Sequence, residues 1–208
     1  YLCWGSYVKA PTKTLSTRVL MFDYPFKLLG TCQHLIIAYS PSDKNLVRWV
    51  NFGFTGSVTV ATGVNEYGTV SSLHDFRTGG PHAKGLNIIT RCVAARYILT
   101  MQDLPSDPSK QVDFVYSKLK FFIPWTGSFY NYFVPQGYCG VISSDQKNGF
   151  FDLRKPKKEY LNGEAIITTN TQTDGASTQK GAEPFFEYYN NGMKPKMLSD
   201  HWAVDYKP

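Results

Sequence analysis

The chain has 208 residues, 42% of them hydrophobic, 15% aromatic and 18% charged. That is room for one domain, too apolar for a disordered segment and low in charge for a helical bundle. The 22 Lys and Arg against 16 Asp and Glu leave a net charge of +6, too mild and too scattered for a nucleic-acid stripe.

Fourteen Tyr and fourteen Phe, with many Thr and Val, favour sheet. Leu2 to Ala10 predicts a strand, Pro11-Thr12-Lys13 a turn and Leu15 to Asp23 a second strand, together a hairpin. His34 to Tyr39 is a short apolar run stopped by Ser40-Pro41-Ser42-Asp43. Leu46 to Phe52 and Ser57 to Thr62 continue the β pattern across Gly53 and Gly56. Residues 63 to 68 predict a turn, and Thr69 to Leu73 a further strand. From Leu86 to Gln102 the apolar positions Ile88, Ile89, Cys92, Val93, Ala95, Ile98 and Leu99 follow a helical spacing, which places Cys92 in the core. Leu104-Pro105-Ser106-Asp107-Pro108 stops that helix. A second runs from Ser109 to Lys120 on Val112, Val115, Tyr116 and Leu119. Strands return at Phe129 to Val134, Tyr138 to Ser143, Gly149 to Leu153 and Glu164 to Thr169, with tight turns at Asn148-Gly149 and Asn162-Gly163.

The order of β-rich, two helices, β-rich predicts an α+β fold in which two antiparallel sheets pack together with helices outside. Residues 1–170 read as this core. Residues 171–208, polar and then aromatic-rich, read as a C-terminal extension or lid. Arg154, Lys155, Lys157 and Lys158 form the one basic cluster, read as a solvated hairpin end. No run approaches the roughly eighteen apolar residues of a spanning helix. Cys3, Cys32, Cys92 and Cys139 contain no CxxC pair, so zinc ribbons and thioredoxin-type motifs are absent and no metal or other cofactor is expected. His34, His82 and His201 have no partner pattern.

Four pieces carry a resemblance. Cys3 opens a strand, and the strand after the turn carries Arg18 and leads to Asp23-Tyr24-Pro25. Gly63-Val64-Asn65-Glu66-Tyr67-Gly68 has the form G-x-N-E-x-G and precedes a strand ending in Leu73-His74-Asp75. A helix carrying Arg91 follows. Glu164 to Asn170 is a strand ending in Thr-Asn. In this order the pieces resemble the N-terminal nucleophile (Ntn) hydrolases, in the branch of the choloylglycine hydrolases, penicillin V acylases, acid ceramidases and acyl-coenzyme A:6-aminopenicillanic acid acyltransferases.

The resemblance implies a four-layer αββα sandwich and a cysteine amidohydrolase or acyltransferase. Such an enzyme acts on the amide or thioester of a small acyl substrate through an acyl-enzyme. A thiolate is the nucleophile, and the free α-amine of the same cysteine, with a pKa near 8, is its base. Cys3 would be that nucleophile, Arg18 would orient the thiolate or substrate, and Asp23 would hold the α-ammonium. Asn170 would donate to the oxyanion. The second donor falls at His74 or Asp75, where an ionised carboxylate cannot donate but the His74 ring or the Asp75 backbone N–H can. Phe54 and Tyr132, with neighbouring aromatics, would line an acyl or aromatic pocket.

Tyr1 and Leu2 precede Cys3. This leaves three readings: an unprocessed form, a nucleophile upstream of the Trp4-Gly5 pair, or an inactive member serving as a binding or structural subunit. A papain-like pairing of a cysteine with His74 or His201 is a further alternative. The length, short against this family, leads to the expectation of a processed product completed by a second fragment of the precursor or by a homo-oligomer. Localisation leans to secreted or extracytoplasmic.

Overall fold

The structure, a computed structural model, describes residues 4–9, 14–19, 34–55, 60–75, 85, 87–135, 137–155 and 165–168. Strands β1 (Trp4–Lys9) and β2 (Thr14–Val19) form the expected hairpin. Strand β12 (Ala165–Thr168) pairs with the other edge of β1, giving an antiparallel sheet in the order β12-β1-β2.

The larger sheet has seven antiparallel strands in the order β11-β10-β9-β6-β5-β4-β3. They are β3 (His34–Tyr39), β4 (Trp49–Phe54), β5 (Thr62–Asn65), β6 (Val70–Asp75), β9 (Ser128–Val134), β10 (Tyr138–Asp145) and β11 (Gly149–Arg154). Two helices, α1 (Arg91–Thr100) and α2 (Pro108–Leu119), lie between β6 and β9 in sequence. Helix α1 packs on β5 and β6, and α2 on β9, β10 and β11. Strand β12 of the small sheet approaches β10 of the large one.

Local chemistry explains the helix boundaries. Asp107 caps α2, its carboxylate accepting from the Ser109 N–H at 3.0 Å, and Pro108 takes the first turn, where no N–H is needed. Val112, Val115 and Leu119 then bury one face. Helix α1 is shorter than its apolar periodicity predicts. Asn87 has a positive φ of 61°, and Ile88–Ile89 (β7) forms a two-residue parallel bridge with Ile123–Pro124 (β8). A backbone committed to that bridge cannot enter a helix until Thr90. Strand β5 also differs from expectation. Thr62 to Asn65 pair with β4 and β6, so only Glu66 and Tyr67 make the turn that sequence extends over residues 63 to 68.

Residues opposite one another in an antiparallel pair project to the same face. One face of the large sheet carries Leu73, Tyr130 and Ile142 across β6, β9 and β10. These side chains are buried with Ala94, Ala95, Ile98, Leu99, Val112, Val115 and Leu119 from the helices. Each large aliphatic buried there contributes roughly 1.5–3 kcal/mol. Gly63 and Gly140 stand against helix side chains. A Cβ on Gly63 would lie 2.5 Å from Leu99 Cδ1, and one on Gly140 2.5 Å from Val112 Cγ1. No helix among the described residues is long and apolar enough to cross a membrane.

Candidate active site

The G-x-N-E-x-G segment is a structural bracket. Asn65 is buried, its Oδ1 accepts from the N–H groups of Tyr67 (3.1 Å) and Thr69 (2.9 Å), and its Nδ2 donates to the Leu99 carbonyl (3.1 Å). One side chain thus closes the β5–β6 turn and ties it to a carbonyl in the last turn of α1, a group that no intrahelical N–H reaches. Glu66 accepts from the Arg48 backbone N–H (2.7 Å) and from its guanidinium (2.9 and 2.7 Å). Those hydrogen bonds, the backbone one foremost, hold the Glu66 carboxyl below its ordinary range. Gly68 has a φ of +78°, and a Cβ there would lie 2.8 Å from Pro135 Cγ. The motif therefore positions β6, the strand that delivers His74 and Asp75.

The small sheet brings together pieces that are far apart in sequence. Gly5 of β1 lies opposite Arg18 of β2 on one side and Thr168 of β12 on the other. The strand that follows Cys3 in sequence, the Arg-bearing strand and the strand leading to Thr-Asn are thus three adjacent strands, with Arg18 and Thr168 at one level.

The face of the large sheet away from the helices has a different character. Val70, Phe133 and Cys139 make one apolar rank across β6, β9 and β10. The next rank holds Ser72, Asn131, Val141 and Arg154, and the one beyond holds His74, Phe129, Ser143 and Asp152. Ser72, His74, Asn131 and Ser143 are all buried, His74 completely. Asn131 Nδ2 lies 3.1 Å from Ser72 Oγ and 2.7 Å from His74 Nε2, bridging two residues of β6 from β9.

The residues predicted from sequence fall as follows. Cys3, Asp23 and Asn170 lie outside the described residues, as do Cys32, His82, His201, the Asn162-Gly163 turn and 171–208. Arg18 is in β2 opposite Gly5. Asp75 ends β6, paired with Ser128. His74 is in the buried polar rank. Phe54 ends β4, half-buried, its ring 5.1 Å from that of His34. Tyr132 is on the opposite, helix-facing side, wholly buried in the core beside Thr69, and burial pushes its phenol up to about 12.

The described cysteines do not make a Cys–His pair. Cys139 is buried, which pushes its thiol well above the ordinary range, the reverse of what a nucleophile needs. It stands on β10 four residues from Ser143, the residue level with His74, about 13 Å at the strand rise. Cys92 is in α1, across the sheet from the His74 rank, half-buried against the core. No group of three or more His, Cys, Asp or Glu suited to a metal ion occurs among the described residues.

Asn131 and Ser72 carried no motif in the sequence. The available signal was Asn131 itself, one amide in the aromatic run Phe129-Tyr130-Asn131-Tyr132-Phe133, in a strand buried on both faces.

No family model and no curated protein matches the sequence. Solved structures do match the fold. The Caenorhabditis elegans ortholog of N-acylethanolamine-hydrolyzing acid amidase superposes with a TM-score of 0.61 at 14% identity, covering 91% of this chain and 79% of that one. Penicillin V acylase from Agrobacterium tumefaciens aligns over 91% of this chain and 49% of its own, at 10% identity and a TM-score of 0.37. In its antiparallel sheets and two helices, the chain shares the fold of that acid amidase.

Proposed function

We propose that the chain is an Ntn-type cysteine amidohydrolase or acyltransferase acting on a small acyl amide or thioester. The observation that carries this reading is the register of the small sheet, which sets Arg18 and Thr168 on either side of Gly5. In sequence, Cys3 immediately precedes β1 and Asn170 lies two residues beyond β12. The acid amidase whose structure resembles this chain is named for hydrolysing an amide, which supports the same chemistry here. In the full assembly the sandwich has four αββα layers, with strands and helices added by a second fragment or a second copy.

In this scheme cleavage of the Leu2–Cys3 bond frees the Cys3 amine. That amine takes the thiol proton, and Asp23 holds the resulting ammonium. The thiolate attacks the acyl carbonyl carbon, forming a C–S bond and an oxyanion. Asn170 and a donor at His74 or Asp75 stabilise the oxyanion, while Arg18 orients the acyl group. The C–N or C–S bond to the leaving group breaks, and the ammonium supplies the leaving group's proton. Water or an amine then attacks the thioester and restores the thiol.

The test compares the chain beginning at Cys3 with the chain keeping Tyr1-Leu2, on a fluorogenic N-acyl aminocoumarin. The reading expects turnover only after removal of Tyr1-Leu2, and its loss in Cys3→Ala. Turnover that survives Cys3→Ala overturns it.

A further inference from the structure

The resemblance leaves one role open at positions 74 and 75, that of a hydrogen-bond donor. A neutral histidine donates from one ring nitrogen and accepts at the other, so the proton's position decides what it can do. His74 is completely buried, one residue before Asp75, and its Nε2 lies 2.7 Å from Asn131 Nδ2. The same amide nitrogen lies 3.1 Å from Ser72 Oγ. With Nδ2 giving one hydrogen to the Ser72 hydroxyl and the other to the imidazole, Nε2 accepts and the ring proton sits on Nδ1.

We infer that Asn131 is a positioning residue that holds His74 as the neutral Nδ1–H tautomer, a fixed donor at the end of β6. The inference deepens the proposed acyl-transfer reading and rests on it for its link to catalysis. Two features separate this arrangement from ordinary packing. One rank away, the same face is filled by Val70, Phe133 and Cys139, so the fold accepts apolar side chains there. Burying an amide, a hydroxyl and an imidazole together carries a desolvation cost that their hydrogen bonds to one another offset in part. The network also locks two turns of the pleat of β6 to β9, fixing the strand end where Asp75 pairs with Ser128.

The experiment is long-range 1H–15N NMR of the histidine rings in the uniformly labelled chain at neutral pH. There are only four histidines, and His74→Gln identifies the signal. The inference expects His74 with a protonated Nδ1 and a bare Nε2. Asn131→Asp, whose carboxylate only accepts, moves the proton to Nε2 or protonates both nitrogens. An Nε2–H tautomer or an imidazolium in the unmodified chain overturns the inference. Circular dichroism verifies that Asn131→Asp folds, and Asn131→Gln, which keeps the amide donor, serves as the conservative variant and retains the Nδ1–H state.

For the catalytic link, the chain beginning at Cys3 is assayed on the N-acyl aminocoumarin. Asn131→Asp is expected to lower kcat about tenfold or more with KM unchanged, and Asn131→Gln to recover part of it. A fall in KM-limited binding alone, with kcat intact, overturns the positioning role. Absence of turnover in the unmodified chain sinks the acyl-transfer reading, and with it the link to catalysis, while the NMR still decides the tautomer.

Discussion

The two faces of the seven-stranded sheet do different work with the same strands. Toward α1 and α2, Leu73, Tyr130, Tyr132 and Ile142 pack against aliphatic helix side chains, and glycines at 63 and 140 let the helices approach. On the other face Ser72, His74, Asn131 and Ser143 are buried as polar groups. From Ser72 to His74 in β6 and from Tyr130 to Tyr132 in β9, alternation sends each residue either to the helix-side core or to the polar network on the other face. The comparison teaches that strand alternation can set an amide and an imidazole in hydrogen-bond contact on one face while the other face packs on the helices.

Breaking the helix side should cost the most stability. Leu99→Ala is expected to lower the unfolding free energy by about 2–5 kcal/mol, read by urea denaturation. A loss below about 1 kcal/mol would mean that α1 is not part of the core. Gly140→Ala drives a methyl toward Val112 Cγ1, 2.5 Å away, and Leu153 Cδ1, 3.0 Å away. An overpacking loss of about 1–3 kcal/mol follows, and a stabilised variant would contradict the close helix approach.

The polar side should respond differently. Ser72→Ala removes one acceptor of Asn131 and is expected to cost about 1 kcal/mol of stability. Its effect on turnover of the N-acyl aminocoumarin should exceed that cost. Equal losses in stability and rate would reduce the polar rank to packing.

The smallest effect belongs to the exposed bracket. The folded Glu66 carboxyl lies below its ordinary value of 4.5, so its contribution is present above that pH and lost as pH falls through the lower, folded value. The Tm difference between the wild-type chain and Glu66→Gln should be small at neutral pH and vanish in acid below the ordinary carboxylate range. A difference that grows on acidification contradicts the pairing with Arg48.

Much of this architecture was legible locally. The break at Leu104 to Pro108 set the start of α2 at Ser109, one residue after its observed start, and His34 to Tyr39 marked β3 to the residue. The hairpin of β1 and β2, the Asn148-Gly149 turn and the strand leading to Thr168 follow from short-range pattern. What was illegible depended on distant partners. Residues 88 and 89 leave the helical pattern because Ile123 and Pro124 lie beside them. Residues 62 to 65 are strand because β4 and β6 flank them. Asn65 and Gly68 were readable as turn residues from the motif, whereas the bond from Asn65 to the Leu99 carbonyl was not. Tyr132 and Phe54 looked alike as aromatics, and only strand register separates a core ring from one at a strand end. Asn131 reaches His74 across 57 positions, and no local pattern spans that distance.

The central claim is that Cys3 forms the acyl-enzyme, and intact-mass spectrometry of the chain beginning at Cys3, quenched during turnover of the N-acyl aminocoumarin, tests it most directly. The account predicts a mass increase of one acyl group, mapped by peptide digestion to Cys3 and absent from Cys3→Ala. An acyl adduct on Cys32, Cys92 or Cys139, or turnover with no adduct at Cys3 under any quench time, would contradict it.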